Sequence, residues 1–250
     1  MSPVVKSHKA KEGLTMYLVL TEKCTMKCRH CCMAAGLKGR DMPLEVIRAA
    51  TKLAEERGDD VTLGGGEPTM HPQFWEILGL VLAGTAHSAV DECCPPLVVT
   101  NGSQTETALK LAKLAKRGVL MAELSRDKWH DPIDPKVVQA FEKASPRTGG
   151  DYLYGNRNQE NDFRGIRTVS RIVKAGRAKS WGSDDGCACE TLFVAPDGAL
   201  FACGCKLERF GTVFAPEIPD DYGRDDCCSK ARAKKRMEET IEVLEPDLVA

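Results

Sequence analysis

Short apolar runs alternate along this chain with longer stretches whose apolar residues recur at helical spacing. Residues 14–20, Leu-Thr-Met-Tyr-Leu-Val-Leu, read as a first strand. Residues 43–57 read as a helix, with Pro43 near its start and Gly58 just past its end. The alternation continues with a strand at 61–63, a helix at about 72–83 and a strand at 97–100. A helix at 106–117 closed by Gly118, a strand at 119–124 and a helix at 135–144 follow. Strands separated by helices in this order predict βαβ units and a parallel sheet.

From 145 to 165 the alternation is lost: Pro146, Gly149, Gly150 and Gly155 among Asn and Asp residues read as an extended loop that contacts substrate or only connects. Residues 166–173 read as a fifth strand. Beyond Arg177 the chain becomes rich in cysteine. A hairpin is signalled over 192–202 by Pro196-Asp197-Gly198, and a charged helical run closes the sequence over about 229–244.

With 250 residues the chain suits one sizeable domain with a small appendage. Lys and Arg total 35 against 36 Asp and Glu, a balance that advertises neither nucleic acid nor an anionic membrane as partner. No apolar run approaches transmembrane length, and the basic first 13 residues lack the apolar centre of a signal peptide. Twelve cysteines in that setting point to metal binding in a reducing cytoplasm.

Their grouping carries the chemistry. Cys24, Cys28 and Cys31 stand at the spacing CxxxCxxC directly after the first strand. Three thiolates on one bendable loop suit a cubane iron–sulfur cluster, which normally takes four, and leave one iron open to a ligand that is not protein. The same residues, with His30 or Cys32 as a fourth ligand, also suit a structural zinc site. Cys32 sits too close to its neighbour to join it on one iron without strain.

CxxxCxxC resembles the signature of the radical S-adenosylmethionine (SAM) enzymes. In that family the three cysteines hold a [4Fe–4S] cluster and SAM chelates the open iron. One electron then cleaves SAM to methionine and a 5′-deoxyadenosyl radical, which abstracts hydrogen from a substrate. The residue before the third cysteine is usually aromatic and packs near the adenine; here it is His30, a departure that keeps a flat ring. Gly64-Gly65-Gly66-Glu67-Pro68, one βα unit later, matches the family's Gly-Gly-Glu-Pro motif. Its glycines let the backbone approach the ammonium of SAM, and Glu67 is read as fixing the loop. The motif pair removes most of the zinc alternative.

The resemblance implies further contacts. Ser125 and Asp127 fall where relatives contact the SAM ribose or carboxylate, though both also suit a turn or cap. Asn101, in an Asn-Gly dipeptide, has the same two readings, and Trp129 and His130 follow near the substrate side. Arg177, in Gly-Arg-Ala, is expected to pair with a carboxylate of SAM or substrate. Cys187, Cys189, Cys203, Cys205, Cys227 and Cys228 resemble the SPASM and twitch extensions, in which a hairpin gathers cysteines around an auxiliary [4Fe–4S] cluster. Zinc competes for them. Cys93 and Cys94 find no partner in the pattern.

The expected architecture is α/β: a partial (β/α)6-type barrel of parallel strands with a small C-terminal β-hairpin and helix extension that binds a cluster. A tail spans 1–13, the core 14–180 and the extension 181–250. The expected activity is a cytoplasmic radical SAM oxidoreductase fed by an electron donor such as flavodoxin or ferredoxin. A peptide or protein substrate is favoured by the extension, although so short an N-terminus shows no leader-recognition domain. A sugar-like small-molecule dehydrogenase, a glycyl-radical activating enzyme and a non-catalytic zinc or redox-sensing protein are the alternatives.

Overall fold

The computed structural model describes residues 15–85, 95–144, 165–168, 172, 174–182, 191–206, 208–219 and 222. Its framework is a strand–helix alternation: β1 (Thr15–Thr21), α1 (Leu44–Arg57), β2 (Asp60–Gly65), α2 (Phe74–Thr85), β3 (Leu97–Thr100), α3 (Thr105–Lys116), β4 (Met121–Ser125), α4 (Pro135–Ala144) and β5 (Ile166–Arg167). The fifth strand is shorter than the predicted 166–173. Then come β6 (Thr191–Val194), β7 (Ala199–Phe201), β8 (Arg209–Thr212) and β9 (Ala215–Pro216), of which the last two carry no clear strand signal in the sequence.

All nine strands form one sheet in the order β5-β4-β3-β2-β1-β6-β7-β8-β9. The first five pair parallel in sequence order, as βαβ units require. β6 adds a further parallel strand on the opposite edge of β1, in the register Tyr17↔Phe193. The predicted hairpin is β6–β7, and it continues the core sheet. The result is the predicted mixed α/β partial barrel.

Side chains alternate faces along each strand. Met16, Leu18 and Leu20 of β1, Val61 and Leu63 of β2, Ala122 and Leu124 of β4, and Leu192 and Val194 of β6 enter one core. Against them pack Ile47 of α1, Ile77 and Val81 of α2, Leu111 of α3 and Phe141 of α4. The pairs Tyr17↔Thr62, Thr62↔Leu97, Leu97↔Met121 and Ser125↔Arg167 assign the other residues to the opposite face. That face is more polar: Glu123 is buried there with Arg167 Nη1 at 3.3 Å, and Tyr17 stacks on Phe193 at 5.6 Å between centroids. Among the described residues no helix is long and apolar enough to cross a membrane.

Phe141 is fully buried between α4 and the sheet. Phe141→Ala should lower unfolding free energy by about 3–5 kcal/mol through lost transfer energy and the cavity left behind. Urea denaturation followed by circular dichroism checks the value.

Candidate active site

Parallel strands all end on one side, so the loops that follow them converge at the carboxyl edge of the sheet. The first of these loops carries Cys24, Cys28, Cys31 and Cys32, all free thiols. Its backbone is tied to itself: Cys24 N–H donates to Gly36 O at 2.7 Å, Cys31 N–H to Cys28 O at 3.2 Å, and Ala34 N–H to Cys31 O at 3.2 Å. Met26 and Ala35, with Cys24, form a small apolar cluster against which Cys28, Cys31 and Ile133 pack. Burial pushes the Cys24 thiol up, and pushes both Cys28 and Cys32 to about 11. A bound metal reverses this, because a coordinating thiol is deprotonated outright.

The loop after β2 packs against this one. Gly65 has φ +137°, and its N–H donates to the Tyr17 hydroxyl at 3.1 Å. A Cβ there would run into the backbone of Thr21. Gly64 lies over the Tyr17 hydroxyl and Gly66 over the Lys23 carbonyl, so the three glycines serve packing against β1 and its exit. Gly66 and Glu67 N–H groups donate to Thr21 O and Lys23 O at 2.7 and 2.8 Å. Pro68 is buried and opens a 3₁₀ turn, Pro68–Met70.

Glu67 is fully buried, and its carboxylate accepts from four donors. They are Thr69 N–H (3.3 Å), Thr69 Oγ1 (2.5 Å), Thr100 Oγ1 (2.7 Å) and Asn101 N–H (2.7 Å). Burial pushes its carboxyl above the ordinary value, and the donated bonds pull the other way. This is the loop-fixing role read from the motif. Asn101 is held at both ends, since its Oδ1 accepts from Ser103 N–H at 2.9 Å. Its Nδ2 is thereby aimed at Cys24 Sγ, 3.4 Å away.

The other predicted contacts are placed as follows. Ser125 ends β4 beside Arg167. Asp127 Oδ1 accepts from Trp129 N–H at 2.8 Å and lies 2.9 Å from His130 Nδ1, so its carboxylate caps its own turn. His30 meets His130 edge-on at 5.1 Å, and ligand atoms of His30, Asp127 and His130 lie within 4.8 Å of one another. His30 Nδ1 is buried without a partner among the described residues, and burial lowers its pKa. Trp129 packs against Trp181 at 5.3 Å.

Arg177 reaches the cysteine loop: its Nε and Nη1 donate to the carbonyls of Cys28 and Ala35 at 2.8 and 2.7 Å. Cys203 and Cys205 are joined as a disulfide just beyond β7, with Cα atoms 5.5 Å apart. Cys93, Cys94, Cys187, Cys189, Cys227, Cys228, the C-terminal helical run and nearly all of the 145–165 segment lie outside the described residues. Tyr17, Glu123 and Arg167 were not singled out from the sequence, because a residue on the inner face of a strand carries no motif.

These residues fit an iron–sulfur cluster with SAM. Three of the loop's four free thiols stand at the spacing CxxxCxxC, an amide N–H is fixed on Cys24, and two buried nitrogens, His30 Nδ1 and Arg177 Nη2, stand unpartnered among the described residues.

A family model described as the radical SAM superfamily matches residues 18–142, half of the chain. The molybdenum cofactor biosynthesis protein moc-5 of Caenorhabditis elegans is 31% identical over 147 residues, covering 54% of this chain and 23% of the relative. The chain therefore spans about a quarter of that relative's length. BtrN in complex with AdoMet and 2-DOIA shares the fold at TM-score 0.58 and 14% identity, with 89% of this chain and 87% of BtrN covered. The enzyme anSMEcpe with bound AdoMet does so at 0.53 and 15%, with 85% and 83% covered.

Tyr17, which accepts the Gly65 N–H, gives the site a measurable pH signature. Burial raises its hydroxyl from 10.0 to about 12. Its contribution to stability is therefore intact below pH 10 and lost as pH rises through about 12. Tyr17→Phe should remove that part of the alkaline loss. Unfolding free energies of both proteins measured from neutral pH upward would have to run parallel to refute it.

Proposed function

We propose, from the premise that this chain belongs to the radical SAM superfamily, that it oxidises a small polar organic substrate by hydrogen-atom abstraction. Membership makes it a radical SAM enzyme whose cofactors are a [4Fe–4S] cluster and SAM. Cys24, Cys28 and Cys31 would hold the cluster. The backbone from Gly64 to Pro68, with His30, Asn101, Ser125, Asp127 and Arg177, would form the walls against which SAM lies. Bound together, these cofactors supply an oxidant able to remove hydrogen from an unactivated carbon, leaving methionine and 5′-deoxyadenosine. The chain's own part is to hold the loop, orient SAM and exclude water. A one-electron donor of the flavodoxin or ferredoxin type would serve it.

The observation that carries the reading is the single loop bearing the free thiols of Cys24, Cys28 and Cys31, which abuts the Gly64–Pro68 segment at the carboxyl edge. The inner sheet face supports the small substrate: Tyr17, Glu123 and Arg167 offer a hydroxyl, a carboxylate and a guanidinium there. The names of moc-5 and of BtrN with 2-DOIA also favour a small molecule. A peptide substrate is the second reading, favoured by the likeness to anSMEcpe with bound Kp18Cys peptide, at TM-score 0.50.

Protein purified and reconstituted without oxygen should be brown and release 5′-deoxyadenosine from SAM under dithionite. Cys24→Ala, Cys28→Ala and Cys31→Ala should each abolish that release, since two thiolates do not hold the cubane in place. Cys32→Ala should keep most of it. A colourless zinc protein, or wild-type release from any of the three variants, overturns the reading.

The late cysteines are proposed to hold an auxiliary cluster that accepts the second electron of the oxidation. Cys203 and Cys205 lie side by side at the end of the hairpin that joins the core sheet, and their disulfide must be reduced to thiolates before either can serve as a ligand. The triple variant lacking Cys24, Cys28 and Cys31 should retain about four irons per chain after reconstitution, the content of one cubane. Zinc in its place, or no metal, removes the auxiliary cluster.

A further inference from the structure

The segment after β5 returns to the cysteine loop as a 3₁₀ turn, Gly176–Ala178, anchored by the fully buried Ala178. Arg177 then makes three bonds to the loop, all to backbone carbonyls. Its N–H donates to Cys31 O at 3.0 Å, Nε to Cys28 O at 2.8 Å and Nη1 to Ala35 O at 2.7 Å. These acceptors span the loop from the second cysteine to beyond the third. Gly176 makes the approach possible: its φ is +54°, and a Cβ would collide with the carbonyls of Cys31 and Cys32.

One donor is left over. Arg177 Nη2 is buried and has no partner among the described residues. A buried guanidinium N–H is expensive to leave unpaired. This one hangs from a side chain already fixed at two points, so turning away would break bonds that the loop uses.

We propose that Arg177 is a positioning residue for the metal centre: it clamps the cysteine loop, and its remaining N–H donates to the cluster held by Cys24, Cys28 and Cys31. The assignment rests on the reading of those cysteines as cluster ligands. Its consequence is electronic. Reduction adds negative charge to the cluster, and both a fixed cation and a hydrogen bond to its sulfur favour the reduced form. Arg177 therefore raises the reduction potential and makes the cluster easier to charge with an electron.

The test uses the anaerobically reconstituted full chain, without substrate, as wild type, Arg177→Gln and Arg177→Lys. Iron content is measured first, and then the reduced fraction by electron paramagnetic resonance across a potential series, with and without SAM. In Arg177→Gln the ratio of reduced to oxidised cluster at fixed potential should fall at least tenfold, about 59 mV for a one-electron couple. Arg177→Lys keeps the charge but not the fork, and should shift less in the same direction. Where the Gln variant fails to hold iron, the Lys variant decides alone. Full iron with an unchanged potential in the deciding variant overturns the proposal and leaves Arg177 a structural tie. A shift seen only with SAM present also overturns it, assigning Nη2 to the SAM carboxylate instead. Wild type that forms no cluster would refute the functional reading itself, a result visible before any variant is compared.

Discussion

A single buried carboxylate joins the parts of this site. Glu67 leaves β2 with no exposure to solvent, and ionising it there is opposed by burial. Four donated hydrogen bonds offset that cost, two of them from backbone N–H groups of different loops. Leaving such donors unpaired in the interior costs about 1–3 kcal/mol each, so the carboxylate and the loops fix one another. The bond to Asn101 N–H passes the constraint onward, because the same residue points Nδ2 at Cys24 Sγ. Strand ends β2 and β3 and the cysteine loop thus depend on one group.

The parallel sheet makes this possible. Helices cover one face, drawing Met16, Leu18, Leu63 and Leu124 into a continuous apolar layer. The other face keeps Tyr17, Glu123 and Arg167. Tyr17 links face and edge: its ring stacks on Phe193 while its hydroxyl accepts from Gly65. The inner face and the carboxyl edge are therefore built on the same residues, and a change at Tyr17 inside the barrel is felt at the Gly64–Pro68 loop.

The helices, the parallel strands and the two motif loops were legible because each is a local matter of periodicity, caps and spacing. What lay hidden depends on long-range pairing. Nothing in residues 191–194 announces that they will extend the sheet at β1, since an apolar run pairs equally well with many edges. The glycines of the 64–66 segment read as openings for a ligand, yet each first answers to β1 or its exit: Tyr17, Thr21 or Lys23. Asp127 carries both roles in its residue type, and only the folded turn brings Trp129 N–H and His130 to its Oδ1. Arg177 was read by its charge, and its bonds to the loop could not be read with it, because a planar fork of donors suits two carbonyls as well as a carboxylate.

The same geometry bears on how an apolar loop would host the charged centre proposed for it. Cys24 packs with Met26 and Ala35, and Cys28 and Cys31 pack against that cluster; burial raises the thiols of Cys24 and Cys28. Metal binding must expel those protons, which burial alone opposes. The loop answers with donors delivered from outside it. Asn101 arrives from β3, and Arg177 from the turn after β5, its charge acting against burial at Cys24. Because both residues are already fixed by other bonds, no reorganisation of them would be needed if the thiolates acquired their charge on a bound cluster. A loop free in solution would have to order itself at that moment; here the surrounding strand ends have done so in advance.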